Sequence, residues 1–236
     1  METNTGKFPD SEYYYSPELD QLFSEVSNAG WEVKMAVSEG LWHKYDHPYV
    51  GVSSADTRNC KENTFDGYLG MYSYEKDMSE REGRIVLFRN QIKHEAKQYS
   101  IERSIPFEDC HTDLKKIVLL HELGHWIFHY VRTAESRYNS CYQLYSIELQ
   151  EAIAQYFVMS GIKGKQHMMN VFEWLCGNQS DVYKYKLNCS TEAIRVFREL
   201  VISNFPESAK EPLTVKLFEE VINGKRGFII GKQFGF

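Results

Sequence analysis

The residues with the clearest potential chemistry are two histidines, His121 and His125, which stand four positions apart in a strongly apolar segment. On an α-helix such residues lie one turn apart and about 40° apart around the axis, so both imidazoles can bind one metal ion. This spacing is typical of zinc sites. Glu122 lies about 100° around the same helix, where it can reach a metal-activated water and act as general base. The pattern indicates metal-assisted hydrolysis.

A catalytic zinc needs a third protein ligand and keeps a fourth position for water. The third-histidine arrangement of the metzincins fails, because Phe128 and Val131 occupy the positions that would require Gly and His. A predicted helix over 146–161 instead offers Glu148 and Glu151, three residues apart on one face. We choose Glu151 as the third ligand. Glu148 is then a candidate to hydrogen-bond a ligand histidine through the ring nitrogen that does not bind the metal.

The stretch from 119 to 158 resembles the gluzincin-type zinc metallopeptidases, and most closely the ImmA/IrrE-type family. The resemblance rests on His-Glu-Leu-Gly-His, an aromatic residue, a histidine four residues on (His129) and a Glu-Ala helix with a later aromatic, Phe157. It implies a zincin-like metalloprotease core that hydrolyses peptide bonds and holds zinc through three matched residues, His121, His125 and Glu151. The resemblance also implies that Glu122 is the general base and that a strand at 84–88 is the substrate-side edge strand.

The oxyanion formed during such hydrolysis would require a hydrogen-bond donor besides the metal. Residues between or beside the two metal helices supply the candidates, which are His129, Tyr138, Tyr142 and Tyr145. His129 could equally orient a ligand or pack, so the choice among them stays open. A peptide substrate would be held along an exposed strand edge by backbone hydrogen bonds.

The elements that must position these residues are indicated by hydrophobic periodicity. Alternation at period two predicts strands at 31–37, 49–52, 68–74 and 84–88, and residues 227–230 form a last short strand or a tail. Helical spacing predicts helices at 16–30, 112–132, 146–161, 165–176, 191–204 and 211–223. A small antiparallel sheet followed by a mostly helical part gives an α+β fold, here a zincin-like core with extra C-terminal helices.

The domain organisation expected from the sequence is simple. Residues 1–15 are predicted to be a flexible leader, and 16–236 a single zincin-like domain. The last part, from about 190 to 236, could form a helical appendage. A second His-Glu pair, His94-Glu95, does not repeat the motif, because Gln98 stands where its second histidine would be.

Composition and charge limit the classes of partner and the cellular setting that are expected for this chain. The 236 residues are 42% hydrophobic and 25% charged, which is typical of a globular chain. The net charge of −6 gives no field that attracts phosphates, so no nucleic-acid partner is expected. No apolar run approaches the roughly 20 residues that span a bilayer, so no membrane partner is expected either. The five scattered cysteines, without a Cys-x-x-Cys pair, favour a reduced, cytoplasmic setting.

The expected partner is therefore a peptide or protein substrate, while the oligomeric state is not indicated. Three alternatives stay open. The first is an intracellular regulatory metal-binding protein that acts on one partner, such as a repressor. The second is a non-catalytic zinc-binding domain with a fourth protein ligand. The third is a metal-free binding module in which the His-bearing helix belongs to the core.

Overall fold

A computed structural model of the chain describes residues 49–53, 69–74, 83–130, 145–184, 187 and 214–222. Several predicted segments lie outside the described residues, namely the leader at 1–15, the helices at 16–30 and 191–204, and the strands at 31–37 and 227–230. Within the described ranges, no helix combines the length and the apolar composition needed to cross a membrane.

The sheet contains three described strands: β1 (Tyr49–Ser53), β2 (Gly70–Tyr74) and β3 (Gly83–Phe88). Their spatial order is β1-β3-β2, so β3 lies in the centre. The apolar run at 85–88 is fully buried, as expected for a strand that is paired on both edges and covered by helices. Strand β2 pairs with β3 in antiparallel fashion, with Gly70 opposite Leu87.

Two details of the predicted sheet are wrong. Strand β1 is parallel to β3, with Tyr49 opposite Arg84, so the sheet is mixed and not purely antiparallel. A parallel pair requires a long connection, and residues 54–82 provide one that passes through β2. The strand at 84–88 is also central, so it is not the edge strand that the resemblance implied. Within the described sheet, β2 takes the edge position beside the helices.

The described helices follow the sheet in the chain, which confirms the α+β class. They are α1 (Arg89–Arg103), α2 (Phe107–Tyr130), α3 (Ile147–Gly161), α4 (Gln166–Asn178) and α5 (Val215–Ile222), with a 3-10 turn at Asp181–Lys184 before α5. The last four of these helices were predicted. Helix α2 begins at Phe107, directly after Pro106, with Glu108 and Asp109 in its first turn, where acids favour a helix N-terminus.

Helix α1 was missed because its sequence carries little hydrophobic periodicity. Only four of its residues are buried, namely Gln91, Ile92, Ala96 and Tyr99. The rest of the helix is largely polar or charged, and one of the four inward positions is itself polar. A narrow stripe of this kind gives a weak helical signal in the sequence.

Helix α2 is the centre of the fold. It packs against α1, α3, α4 and the two strands β2 and β3. Its middle part is buried on nearly every side, including Leu119, Leu120, Leu123 and Trp126. A helix that is apolar around most of its circumference is expected to be buried. The histidine-bearing turn therefore stands on a closely packed support.

Gly124 sets the distance between α2 and α3. A Cβ atom built at this position would lie 2.9 Å from the Cα of Ala154 and 3.0 Å from the Cβ of Phe157. Backbone atoms cannot rotate away as a side chain can, so a methyl group here would push the two helices apart. The absence of a side chain at 124 thus permits the close approach of the helix that carries Glu151.

We expect Gly124→Ala to destabilise the protein by about 1–3 kcal/mol, because overpacking of this contact exceeds the gain of about 1 kcal/mol in helix propensity. Gly177→Ala is the matched control, since a Cβ there meets nothing within 4 Å and Gly177 also lies within a helix. That control should be neutral or more stable by up to about 1 kcal/mol. Urea unfolding of both variants measures the difference, and equal stabilities would contradict the packing argument.

Candidate metal centre

Three of the predicted ligands converge in the structure. The Nε2 atom of His121 lies 3.1 Å from the Nε2 atom of His125 and 3.0 Å from Oε2 of Glu151. The Nε2 atom of His125 lies 3.6 Å from Oε1 of Glu151. One donor atom from each side chain falls within 4.8 Å of the other two, which is compatible with a shared metal ion.

The convergence follows from how the two helices are built and packed. Helix α2 presents both histidines on one face, since they are one turn apart. Helix α3 begins at Ile147 after Ser146, whose hydroxyl accepts a hydrogen bond from the N–H of Leu149 at 3.2 Å. This N-cap fixes the start of α3 and hence the position of Glu151 in its second turn. The contact at Gly124 then holds the two helices together.

The donor chemistry suits a divalent metal. The Oε2 atom of Glu151 is buried, and no hydrogen bond of acceptable geometry reaches it, although His121 Nε2 is close. A buried carboxylate oxygen without a hydrogen bond is costly unless something else neutralises it. Two imidazole nitrogens and one carboxylate form a common ligand set for catalytic zinc. The residues present therefore fit a divalent metal ion.

Glu122 lies beside this group in a different environment. Its side chain is only 6% exposed and it faces strand β2. Burial raises the pKa of Glu122 to about 7, and the negative charge of Glu151 adds to the rise. The attraction of His121 and a hydrogen bond from the backbone of Tyr72 act in the opposite direction. Near neutral pH, this carboxyl group is balanced between its two protonation states.

Glu151 shows the opposite behaviour. Burial alone would raise its pKa, but the attraction of His125 and His121 outweighs burial and holds the pKa well below its usual range. Glu151 is therefore a permanent anion near neutral pH, as a metal ligand must be. Two neighbouring carboxyl groups with pKa values shifted in opposite directions are suited to different roles.

Strand β2 approaches Glu122 very closely at Gly70. A Cβ atom at this position would lie 2.8 Å from Oε1 of Glu122 and 2.7 Å from Cγ1 of Val118. The N–H of Phe88 donates to the carbonyl of Leu69, so residues 70 and 72 are the positions whose backbone groups point away from β3. The outer edge of β2 thus faces the candidate metal centre.

A cavity of about 660 Å³ opens at this point. Its wall includes His121, Glu122 and Gly70 at one side and residues of α1 and α4 at the other. This volume lies in the range of small-molecule and peptide side-chain sites. A substrate could therefore reach the metal centre through a preformed space.

Among the other predicted site residues that the structure describes, neither Glu148 nor Tyr145 is brought together with the three donors. Glu148 is exposed and does not belong to the group of donor atoms. Tyr145 is buried in the hydrophobic core, and its carbonyl accepts a hydrogen bond from Gln150 Nε2 at 3.0 Å. Tyr142, like Tyr138, lies outside the described residues, and for His129 the structure describes the helical backbone alone. The choice of a transition-state donor among them stays open.

The structure adds residues that the sequence did not single out. The ring of Tyr183 lies 6.0 Å from the ring of His121, and Gln155 donates from Nε2 to the carbonyl of Tyr183 at 3.3 Å. Gln155 lies one turn after Glu151 on α3, so its position relative to the site could have been read from helical spacing. Tyr183 and Gly70 come from distant segments, and no local pattern connects them to the histidines.

We expect Glu151→Gln to weaken zinc binding by about 10²-fold or more, because it removes an anionic donor from a set of three. Glu148→Gln is the matched control, since Glu148 lies three residues earlier on the same helix and is exposed. Zinc titration with a competing chelator, and metal analysis after dialysis, measure both variants. If Glu148→Gln loses more zinc than Glu151→Gln, the ligand assignment is wrong.

The metal-free protein should show a pH dependence of stability that originates from Glu122. Because the pKa rises from 4.5 to about 7 on folding, the folded chain holds this proton more tightly than the unfolded chain. The stabilisation is complete below pH 4.5 and is lost as the pH rises through about 7. Relative to Glu122→Gln, which cannot ionise, the wild type should lose on the order of 3 kcal/mol between pH 4.5 and pH 8.

Urea unfolding of both proteins in the presence of a chelator, at several pH values, tests this expectation. The pH dependence contributed by groups that do not interact with Glu122 is common to both proteins and cancels in the difference. Parallel stability curves for wild type and variant would show that burial of Glu122 does not have the stated effect.

Comparison of the chain with protein-family models, with curated proteins and with solved structures gave no match. The resemblance to the zinc metallopeptidases therefore rests on the sequence motif within 119–158 alone.

Proposed function

We propose that the protein is a zinc-dependent metallopeptidase of the gluzincin type that hydrolyses peptide bonds. The observation that carries the proposal is the convergence of His121, His125 and Glu151 on one point, with the buried Glu122 beside them. Helical spacing alone predicts the histidine pair, but Glu151 comes from a separate helix. Its carboxylate oxygens lie 3.0 Å from His121 Nε2 and 3.6 Å from His125 Nε2, and this proximity supports a shared function.

A zinc ion bound by these three residues would supply a water of lowered pKa and would polarise the substrate carbonyl. Glu122 provides the acid–base chemistry. As a carboxylate it accepts a proton from the attacking water, and as a carboxylic acid it donates a proton to the departing amine nitrogen. Both steps require a group that gains and loses a proton near the ambient pH, and burial, which raises the pKa of Glu122 in the metal-free chain, acts in that direction.

Strand β2 is the proposed support for the substrate backbone. Its outer edge carries the backbone groups of Gly70 that point away from β3, and the strand lies directly beside Glu122, which accepts a hydrogen bond from the backbone of Tyr72. A peptide added to this edge would be held by main-chain hydrogen bonds with little demand on its sequence. A peptide bound in this way would have its scissile bond near the metal centre and one of its sides over the cavity.

The cytoplasm is the proposed site of action. The cysteines are scattered and odd in number, and Cys110 is a free thiol buried within the structure. Reduced thiols are typical of proteins in reducing compartments.

Glu122→Gln should retain zinc and lose peptide hydrolysis by about 10²-fold or more, because the amide preserves the shape of the side chain but cannot accept the proton. Metal analysis and cleavage of a mixed peptide library, followed by mass spectrometry, give the two readouts. Glu108→Gln, an exposed position on the same helix, serves as the control and should keep both properties.

The results separate the proposed function from its alternatives. Zinc bound by the wild type without cleavage of any peptide would contradict a general peptidase. Cleavage that survives in Glu122→Gln would show that another group acts as the base. Purified protein without any metal affinity would contradict the metal centre itself.

A further inference from the structure

The cavity beside the metal centre combines apolar side chains with a few uncharged polar groups. Its apolar lining comes from the residue before β2 and from helices α2, α3 and α4, and comprises Leu69, Ile117, Val118, Val158, Phe172 and Leu175. These six side chains also belong to the hydrophobic core, so their positions are fixed by packing. An apolar pocket with a small number of placed polar groups is typical of a binding site, in which the polar groups select and orient the ligand.

Gln155 is a buried polar residue that the proposed hydrolysis does not use. It lines the cavity, and only 3% of the residue is exposed. Its Nε2 group donates to the carbonyl of Tyr183 at 3.3 Å, whereas Oε1 is buried and has no hydrogen-bond partner among the described residues. A buried acceptor without a partner is costly, so a ligand that donates a hydrogen bond to Oε1 would be favoured.

Ser180 carries a second group of this kind. It lines the same cavity, and its hydroxyl oxygen is buried without a hydrogen-bond partner within the described ranges. The carbonyl of Ser180 accepts a hydrogen bond from the N–H of Tyr183 at 3.0 Å, and Tyr183 is also the residue whose carbonyl binds Gln155. Both groups therefore belong to the contact between α3 and the 3-10 turn. This contact is near the metal centre, because the ring of Tyr183 lies 6.0 Å from the ring of His121.

The two groups together favour a ligand hydroxyl. The Oε1 atom of Gln155 can only accept a hydrogen bond, whereas the hydroxyl of Ser180 can donate one. A ligand hydroxyl complements both, since it donates through its hydrogen and accepts through its lone pairs. A buried ammonium or carboxylate group is disfavoured, because neither Gln155 nor Ser180 carries a charge that would compensate it. The apolar lining favours a hydroxyl at the end of a large apolar body, which among the amino acids is tyrosine.

We propose that this cavity binds a tyrosine side chain of the substrate, at a position within a few residues of the cleaved bond. The ring packs against the apolar lining. The phenol hydroxyl donates a hydrogen bond to Oε1 of Gln155 and accepts one from Ser180, which both side chains reach by small rotations toward the cavity. The inference rests on the proposed function and adds a substrate class to it. Gln155 and Ser180 determine specificity and take no part in the hydrolysis itself.

Matched peptides that differ only in tyrosine against phenylalanine, and hence in one oxygen atom, test the proposal with the full zinc-loaded chain. The pair is made at each position near a cleaved bond found in the peptide library. At one position we expect the tyrosine peptide to have a kcat/KM at least about 10-fold higher, because phenylalanine leaves the buried acceptor unpaired. Equal rates at every position would overturn the inference.

Variants of the two polar residues show whether the preference originates from them. In Gln155→Leu the ratio of tyrosine to phenylalanine peptide should fall close to one. Ser180→Ala should lower the ratio as well, and it leaves the hydrogen bond from Gln155 to Tyr183 in place, so its effect does not depend on a displaced turn. Gln98→Leu is the control, since Gln98 lines the same cavity but is exposed to water, and it should keep the ratio. A ratio that survives in both Gln155→Leu and Ser180→Ala would contradict the assignment.

A second readout separates this inference from the proposed function. Fluorescence anisotropy measures the binding of an alanine-based peptide with a single tyrosine, and of its phenylalanine counterpart, to the zinc-loaded Glu122→Gln chain without hydrolysis. Preferential binding of the tyrosine peptide, lost when Gln155→Leu is added, supports the inference even if no peptide is cleaved. Tighter binding of a glutamine counterpart would overturn the choice of tyrosine. Cleavage that depends on Glu122 but does not distinguish tyrosine from phenylalanine would overturn the inference and leave the peptidase intact.

Discussion

The close packing of α2 against α3 is the constraint on which the site depends. At Gly124 the two helices approach so closely that a single methyl group would collide with the backbone of Ala154. Because Glu151 lies three residues before Ala154, any increase in helix separation would withdraw its carboxylate from the imidazoles. The glycine inside the histidine motif thus has a geometric role. It brings an acid from one helix to two bases on another, with the apolar core of α2 as a rigid support.

The same packing creates two different environments for two neighbouring carboxyl groups. Glu151 faces both histidines, and their attraction keeps it ionised in spite of burial. Glu122 faces strand β2 and the apolar interior, and burial raises its pKa to about 7. A difference of this kind cannot be designed at a solvated surface, because water would screen the charges and level the pKa values. It requires an enclosed site, which the sheet edge and α2 form together.

Helix α1 has a different relation to the site. It contributes few buried side chains to the core, yet its polar face lines the cavity next to the metal centre. Its low apolar content is consistent with this position, since a helix that borders a wet cavity need not bury a wide stripe. The hydrogen bond between Trp174 and Glu102 joins α1 to α4, and both residues line the same cavity. Helices α1 and α4 thus line the cavity, and their packing against α2 holds them in place.

The sequence by itself determined the local features: the strands β1, β2 and β3, the helices from α2 onward, and the histidine pair with its adjacent glutamate. These depend on periodicity and on spacing within single elements, which the order of residues specifies directly. It did not reveal α1, whose periodicity is weak, nor the parallel pairing of β1 with β3, nor the edge position of β2. Only the tertiary structure decided that Glu151 and not Glu148 faces the histidines, that Tyr183 lies near His121, and that Gly70 lies against Glu122. Contacts between distant segments depend on how helices and strands pack, and packing is a property of the whole chain that no local pattern encodes.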